Sequence, residues 1–488
     1  MDLFGRSPQM DKIEKIIKDG ADSILSRNEI IESELMTWFD CPQRKLMITG
    51  DRYYHGDQDI LKRERMVIGE DGDLERVDNL PNKKIVDNQY QKMVDQKVNY
   101  LFSKPLTFNC DDEKYVNDLK EIFGSYKFQR TLKNLAKDFI NCGIGWLYVY
   151  INSLNQIAFK KLKPFEVLPF WKDDEHTILD FAVRVYNILY YEGHSKKIIR
   201  KAEVYSNKGV ERYTINGTTL KKDDNKIRNY GYKWNRIPLI AFKANTDEIP
   251  LIKKVKCLQD GINELLSDFA NNVSEDVRTT VLVLKNYDGE NLADFRRKLA
   301  TYGTVKVRTV DGSQGGVDTL KIEVNPENYR LILSILSKEL IKNASGYDVD
   351  ELKSGTTPNQ MTIKSIYNDI DLDSNEIETE FQASFEEVLE FFNLWKSRGS
   401  NSPLEVIVDR DTVVIESQVI ADIKNSVGIL SKETLVAQHP YVTNVEEELK
   451  KIEKEEQAQQ EQAQQEQALN DYFGNPQKTP EEKVENEK

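Results

Sequence analysis

The sequence predicts an α+β protein, built from long helices and an antiparallel β meander. Three long segments in the second half of the chain repeat apolar residues at intervals of three and four, which is the spacing of one helix face. Between residues 143 and 245 the period shortens to two, and β-branched and aromatic runs are separated by turn residues such as Asn216-Gly217. The two periods occupy separate parts of the chain, which is typical of the α+β class.

Residues 1–140 are mainly helical in pattern. One apolar stripe ends at Pro105 and a second ends at Gly143. The segment VDQKVNYLFSKP (94–105), which closes the first of these helices, contains no catalytic-looking residue. The stripes consist of Tyr90, Val94, Val98 and Leu101, and of Phe128, Leu132, Leu135 and Phe139.

Helical spacing returns after Pro250. Residues 251–278 carry a nearly unbroken apolar stripe and predict one helix, roughly 40 Å long. The strand-like stretches TVLVLK, TVKVRT and LKIEV, with the helix-like LADFRRKLATY, then predict a small α/β insert over 279–325. The stripe consists of Ile252, Val255, Leu258, Ile262, Leu265, Phe269 and Val273.

Two helix starts follow the insert. Asn325-Pro326-Glu327 combines an N-cap side chain, a proline at the first helical position and an early acid, and predicts a helix over 326–345. GYDVDELKSG (346–355) breaks that helix, and the spacing of Thr357 to Gln360 fits a capping box. Residues 361–400 then predict one long helix, whose middle, DLDSN, interrupts the apolar stripe and predicts a kink or a solvated stretch.

Helix signals resume past residue 415, and the end of the chain is acidic and rich in glutamine. EKEEQAQQEQAQQEQ has the composition of a solvated helix or a disordered tail, so we expect no core face in residues 456–488. Thirteen acids against six bases between Glu446 and Lys488 supply seven of the 14 net negative charges. The rest of the chain is only mildly acidic.

This charge balance argues against broad binding to nucleic acid, because such binding depends on Lys and Arg displacing counterions from phosphates. The short basic clusters LKRER and KKIIRK are typical of solvated faces. The N-terminus shows no apolar leader and no uncharged apolar run approaches 18 residues, so we expect neither secretion nor a membrane partner. Four widely separated cysteines predict free thiols in a reducing compartment.

Few groups are arranged for catalysis. The sequence has no GxxxxGK[ST] motif, and its one GxG, Gly143-Ile144-Gly145, leads into a strand, so we expect no nucleotide cofactor. Asp371 and Asp373 lie two residues apart on a predicted helix and make a poor carboxylate pair. No serine lies in a GxSxG elbow. The sequence therefore predicts a structural protein without a cofactor or metal, and not an enzyme.

One loop keeps an enzymatic alternative open. His55, Asp57 and Asp59, in HGDQD, combine an imidazole with two carboxylates, a set that binds divalent metals or transfers protons. The alternative function is a metal-dependent phosphohydrolase or nuclease. The other interpretation is an ordinary polar loop, which Gly56 and the turn-prone acids favour.

Three stretches together resemble the portal proteins of tailed bacteriophages, in the branch typified by the portal of phage SPP1. They are RYYHGDQDILKRER (52–65), YQKMVDQKVNYLFSKP (90–105) and IPLIKKVKCLQDGINELLSDFANNVSEDVRTTVLVLKN (249–286). Within the third, SDFANNVSED followed by an apolar strand is the most specific motif. The C-terminal VGILSKETLVAQHPYVTNVEEELKKIEKE is also similar to portal C-termini, so the resemblance extends over residues 25–455.

The resemblance implies the phage portal fold. Portals are rings, usually of twelve subunits, at one capsid vertex, and double-stranded DNA enters and later leaves through them. Segment 94–105 would be scaffolding that needs shape and no chemistry. The implied regions are a wing at 1–250, stem helices at 251–278 and 326–345, a clip at 279–325, a tunnel loop at 346–360, a wing-spanning helix at 361–400, a crown at 401–455 and the tail at 456–488.

The resemblance also implies partners and a location. The homo-oligomeric ring would pass DNA, dock the large terminase subunit at the clip, and later dock a head-completion adaptor and tail proteins. Major capsid and scaffolding proteins would surround it after assembly in the bacterial cytoplasm, and its place would be the portal vertex of the virion. A structural component of a phage-tail-like particle that passes no DNA is an alternative.

Few bases are expected in the implied channel, because each phosphate–cation contact would hold DNA that has to slide. For Lys338 and Lys342, a solvated outward face is an equally good interpretation. The residues implied at the channel are Lys338, Lys342, Asp348, Asp350, Glu351 and Lys353, and those implied for motor docking at the clip are Arg296, Arg297, Lys306 and Arg308.

Overall fold

Long helices and antiparallel sheets alternate along the chain in the computed structural model, as the two sequence periods predict. The chain divides into two units, Met1–Lys353 with Ile366–Asp411, and Ser354–Ser365 with Thr412–Lys488. The structure describes residues 24–68, 72–78, 80–207, 209–217, 219–223, 234, 236–275, 281–285, 316–320, 325–348, 360–397, 404–410, 416–442 and 445–473.

The N-terminal part is helical, and both predicted apolar stripes are buried. Side chains cap three of its helices: Asn88 accepts a hydrogen bond from the Gln91 N–H, Asp112 accepts one from the Tyr115 N–H, and Ser125 accepts one from the Phe128 N–H. The elements are α1 (Ile24–Asp40), α2 (Pro42–Tyr54), the hairpin of β1 (Met66–Ile68) and β2 (Leu74–Arg76), α3 (Gln89–Phe102), β3 (Thr107–Asn109), α4 (Glu113–Phe123) and α5 (Tyr126–Cys142).

Two antiparallel sheets follow, where the sequence predicts a single meander. The first has the order β11-β4-β5 and the second has the order β10-β9-β8-β7-β6. The difference arises because β11 pairs with β4, although β5 to β10 lie between them in the chain. Local periodicity does not encode such a long-range pairing. The strands are β4 (Ile144–Ile151), β5 (Ile157–Leu162), β6 (Val167–Trp171), β7 (Leu179–Glu192), β8 (Ser195–Ser206), β9 (Gly209–Asn216), β10 (Thr219–Lys222) and β11 (Leu239–Lys243).

The glycine at the start of the first sheet serves packing. Gly143 joins α5 to β4 with φ +84°, and a Cβ atom there would lie 2.0 Å from the Glu248 carbonyl oxygen. Only glycine avoids this clash and adopts this φ without strain. The GxG motif is therefore a helix-to-strand corner, as its strand context predicts.

Two long helices pack against each other after the sheets. They are α6 (Leu251–Glu275) and α7 (Pro326–Asn343), and the Asn325 side chain caps α7 as predicted. Between them, β12 (Val281–Lys285) pairs with β13 (Gly316–Leu320). Of the predicted strand LKIEV, Leu320 lies in β13, and its other residues lie outside the described part, as do the predicted TVKVRT and LADFRRKLATY.

The next helix, α8 (Gln360–Lys396), is continuous through DLDSN. The predicted solvated stretch is confirmed at Leu372 and Asn375, which are exposed. Ser374, in that stretch, is fully buried. An aromatic core fixes α8 to the N-terminal helices: the Phe385 ring lies 5.2 Å from the Phe123 ring, and the Phe381 ring lies 5.1 Å from the Phe102 ring.

The C-terminal part begins with β14 (Glu405–Ile407), which pairs with β3 and so belongs to the first unit. Of the two alternatives for the tail, the helix is confirmed as far as Phe473; residues 474–488 lie outside the described part. None of the helices over the described ranges has the length and apolar composition needed to cross a membrane. The remaining helices are α9 (Glu416–Asn425), α10 (Lys432–Ala437) and α11 (Val445–Phe473).

A row of uncharged polar side chains lines a second buried face of α6. Its members recur every four residues and are all fully buried. They accept hydrogen bonds from the backbone of an irregular segment, residues 83–88, and of Tyr90 in the first turn of α3, at distances of 2.7–3.0 Å. This polar ladder consists of Gln259, Asn263, Ser267 and Asn271, and it binds the N–H groups of Tyr90, Asp87, Ile85 and Lys83 respectively.

The fit of the ladder follows from helix and strand geometry. Four helical residues rise about 6 Å, and two extended residues advance about 6.6 Å, so the amides of Lys83, Ile85 and Asp87 meet successive ladder side chains. Gln259 also donates to the Asp87 carbonyl at 2.6 Å, and Asn263 donates to the Gln58 side chain. The ladder thus satisfies backbone groups that have no strand partner, and it ties α6 to the N-terminal helices.

We expect Asn263→Ala to release this segment. The change leaves the Asp87 N–H and the Gln58 carbonyl oxygen without partners, which costs about 2–4 kcal/mol of the free energy of unfolding. Hydrogen–deuterium exchange at Lys83, Ile85 and Asp87 would become faster. The control is Glu264→Ala, at the exposed neighbouring position. Equal exchange rates in the two variants would show that the ladder does not hold the segment.

Candidate functional site at the end of helix α7

Helix α7 has a packed face and an open face. Leu333, Leu336 and Leu340 pack against the core. The opposite face carries Leu331 and Ile335, whose exposed fractions are 61% and 51%. A helix turns about 100° per residue, so Lys338 and Lys342 continue this same open face. The two predicted channel lysines therefore follow directly on an apolar stripe.

The two lysines differ in their surroundings. Both are exposed. The Lys342 ammonium lies 3.1 Å from the Glu339 carboxylate, so its charge is locally offset. Lys338 has no ion-pair partner within the described ranges. The open face thus carries little net positive charge.

Helix α7 ends in a Schellman motif. The Gly346 N–H donates to the Ile341 carbonyl and the Ser345 N–H donates to the Lys342 carbonyl, each at 2.9 Å. Ser345 takes the left-handed conformation, with φ +49°, that glycine usually supplies at this position. A non-glycine residue in this region stores about 1–3 kcal/mol of strain, which neighbouring contacts have to hold.

Those contacts come from α3. The Gln96 side-chain amide donates to the Tyr347 carbonyl at 2.9 Å and accepts from the Tyr347 N–H at 3.1 Å. The Lys97 ammonium donates to the Ser345 carbonyl at 3.3 Å. The approach is close, since a Cβ atom on Gly346 would lie 2.8 Å from the Gln96 amide oxygen. The backbone just after α7 is therefore bonded to α3.

Lys97, in segment 94–105, also carries a buried charge. Its side chain is 2% exposed and pairs with the Asp373 carboxylate on α8. Burial lowers the pKa of Lys97, while the Asp373 charge opposes that effect. The Lys254 ammonium is also 3.8 Å from Asp373.

A second contact joins the same two helices one turn further along. Tyr100 on α3 donates its hydroxyl hydrogen to Asp371, and Arg410 lies 3.1 Å from the same carboxylate. Burial and the hydrogen bond to Asp371 both raise the pKa of Tyr100, so the phenol remains protonated. The Tyr367 ring stacks on Tyr100, with centroids 5.8 Å apart, and lies 4.5 Å from the Tyr347 ring. As predicted, Asp371 and Asp373 serve different partners and do not form a carboxylate pair.

The sequence did contain signals for these residues. Lys97 stands at a core-facing position, seven residues after Tyr90 and four before Leu101, where a lysine needs a buried counter-charge. The ladder residues recur every four positions beside an apolar stripe. Neither pattern identifies the partner, because the partner lies more than 150 positions away in the chain.

The HGDQD loop contains ion pairs. The Asp59 carboxylate lies 2.8 Å from both Arg52 and Lys256. Burial would raise the pKa of Asp59, but hydrogen bonds from Lys256 and Arg52 outweigh it and lower that pKa. Asp57 lies 3.6 Å from Arg52, and His55 Nδ1 lies 2.8 Å from the Asp51 carbonyl oxygen. No group of three potential metal ligands occurs among the described residues.

Of the other predicted site residues, the structure describes only Asp348. Asp348 is half-buried at the end of the described stretch after α7. Three channel residues and all four clip residues lie outside the described residues: Asp350, Glu351, Lys353, Arg296, Arg297, Lys306 and Arg308.

Comparisons with known solved structures give low similarity. The neck of a native gene transfer agent (GTA) particle computed with C12 symmetry has a TM-score of 0.36 and 12% identity, over 73% of this chain and 90% of that chain. The neck of an empty GTA particle computed with C6 symmetry has a TM-score of 0.38 and 15% identity, over 71% and 87%. At TM-scores below 0.5 these likenesses do not bear on the fold.

Sequence comparisons are much stronger. The portal protein of Clostridium phage phiCD119 is 26% identical over 423 residues, which cover 84% of this chain and 92% of the relative. The portal protein of Bacillus phage SPP1 is 28% identical over 466 residues, which cover 91% and 90%. The family described as phage portal protein, SPP1 Gp6-like, matches residues 42–462, from α2 into α11. Portal proteins are structural components of phage particles, and this chain belongs to the SPP1 Gp6-like family of phage portal proteins.

Proposed function

We propose that the chain forms a closed ring at one capsid vertex and that double-stranded DNA passes through the ring during packaging and ejection. Family membership supports the proposal, and the open face of α7 is the observation that carries it. Leu331, Ile332 and Ile335 are 61%, 44% and 51% exposed in the isolated chain. A row of exposed apolar side chains on one rigid helix is typical of a surface that a partner covers.

A ring needs heterologous contacts, in which one surface of each subunit meets a different surface of the next. The open face of α7 is a good candidate for one of these surfaces. Its apolar part would contact the neighbouring subunit, and Lys338 and Lys342 would lie nearest the channel. The ladder keeps α6 in place, and α6 supports α7 from behind.

The division into regions remains part of the proposal. The wing would comprise residues 1–250 and most of α8, the stem α6 and α7, the clip residues 279–325 and the tunnel loop residues 346–360. Because β14 pairs with β3, we draw the boundary of the crown at 411 instead of 401. The clip, with Arg296, Arg297, Lys306 and Arg308, would face the large terminase subunit and later the head-completion adaptor, and capsid and scaffolding proteins would surround the wing.

Sparse charge suits a channel through which DNA slides in both directions. Each phosphate–cation contact adds roughly one counterion's worth of affinity, and so a trap along the path. Glu339 offsets Lys342, and in the sequence Asp348, Asp350 and Glu351 stand close to Lys353. The proposed channel segment therefore touches DNA with little net attraction.

Ile335→Asp is expected to prevent ring formation without unfolding the chain. The residue is exposed, so a charge there is tolerated in the monomer, but in the proposed interface it would be desolvated without a partner at every contact around the ring. Native mass spectrometry should show the ring population fall by about tenfold or more. The matched control is Leu154→Asp, an exposed apolar residue in the turn between β4 and β5. Rings at the wild-type level in Ile335→Asp would exclude the open face as an interface.

Deletion of residues 348–354 is expected to leave rings intact and to impair packaging or retention of DNA. The deletion starts after Tyr347, so it spares the bonds that hold the end of α7. Lys353→Glu should have a milder effect, because it alters one charge among several. Microscopy would score rings and nuclease protection would score packaged DNA. A deletion variant that packages and retains full-length genomes would contradict the role proposed for this segment.

A further inference from the structure

We propose that Gln96, Lys97 and Tyr100 on α3, here called the α3 clamp, are positioning residues that hold the chain on both sides of the proposed tunnel loop. The expected effect of the clamp on packaged DNA rests on the proposed function. Its structural part rests only on described contacts within the first unit. The three residues lie in the stretch 90–105 that carries part of the family resemblance, but their pairings are read from the structure alone.

On the first side, the clamp fixes the backbone that leaves α7. Gln96 bonds both the N–H and the C=O of Tyr347, which is how a neighbouring β-strand would bond it. Lys97 binds the carbonyl of Ser345, the residue in the left-handed conformation. These bonds fix where the chain points as it enters residue 348, and they help to hold the strained Ser345.

On the second side, the clamp fixes α8. Lys97 pairs with Asp373 and Tyr100 bonds Asp371, so two carboxylates that lie two residues apart on α8 are tied to one turn of α3. The Tyr367 ring adds a bridge, because it contacts both Tyr347 and Tyr100. One ammonium, that of Lys97, is therefore bonded to both sides at once.

The burial of Lys97 indicates why this arrangement specifies position. A buried ion pair usually adds little net stability over apolar side chains of similar size, because desolvation of both charges offsets their attraction. It does, however, permit only one arrangement, since either charge left unpaired is strongly unfavourable. Lys97 thus sets the position of α8 relative to the end of α7 more than it stabilises the fold.

A double variant separates positioning from stability. Lys97→Met/Asp373→Leu replaces the pair with apolar side chains and leaves no unpaired partner of the pair. The matched control, Lys161→Met/Asp138→Leu, removes an ion pair of 2.7 Å between α5 and β5. Both doubles should keep rings and a thermal midpoint near that of the wild type. Only the clamp double should show faster hydrogen–deuterium exchange at residues 345–347, by about tenfold, together with loss of most nuclease-protected DNA.

A second variant keeps the test decisive if the clamp double does not fold. Gln96→Ala removes both bonds to Tyr347 from a half-buried side chain, and its control, Gln129→Ala, removes one amide bond to the Ser103 carbonyl. Unchanged exchange at residues 345–347 in Gln96→Ala would overturn the clamp. Faster exchange with wild-type DNA protection would overturn its positioning role. If wild-type rings protect no DNA, the proposed function fails, and the exchange data alone decide on the clamp.

Discussion

Backbone pairing along α6 is the constraint on which the described part of the first unit depends. Residues 83–88 and the start of α3 lie beside this helix, and buried N–H groups without acceptors would cost about 1–3 kcal/mol each. The ladder supplies the acceptors, at one per helical turn. The ladder thereby attaches α6, which follows the sheets in the chain, to the helices that precede the sheets. Helix α7 packs on α6.

The same logic continues at α3. Its apolar stripe enters the aromatic core that also receives α8, and its polar side chains bond the end of α7. Buried polar groups thus specify how the long helices are placed, while aromatic packing supplies most of the stabilisation. For a ring subunit this is a useful combination, because its exposed face can be presented in one fixed arrangement to a neighbour.

Local periodicity predicted the helices and their caps well: Asn325 caps α7, and the stripes of α3 and α5 are buried. It did not predict that β11 joins β4, or that Asp371 and Asp373 bond α3, because both depend on residues far away in the chain. The candidate site shows the same limit. Lys338 and Lys342 were placed on a helix correctly, whereas Lys97 was overlooked, since its role appears only when Asp373 and Ser345 are brought beside it. The remaining candidates outside the described residues, such as Lys353 and Arg296, stay predictions.

The central claim is that the chain assembles into a portal ring. Electron microscopy of the purified full-length protein at micromolar concentration tests it most directly, because a ring and its central hole are visible without any partner. The account predicts closed rings, near twelve subunits around, with a continuous hole along the symmetry axis. Class averages that contain only monomers or dimers, or closed particles without a hole, would contradict it.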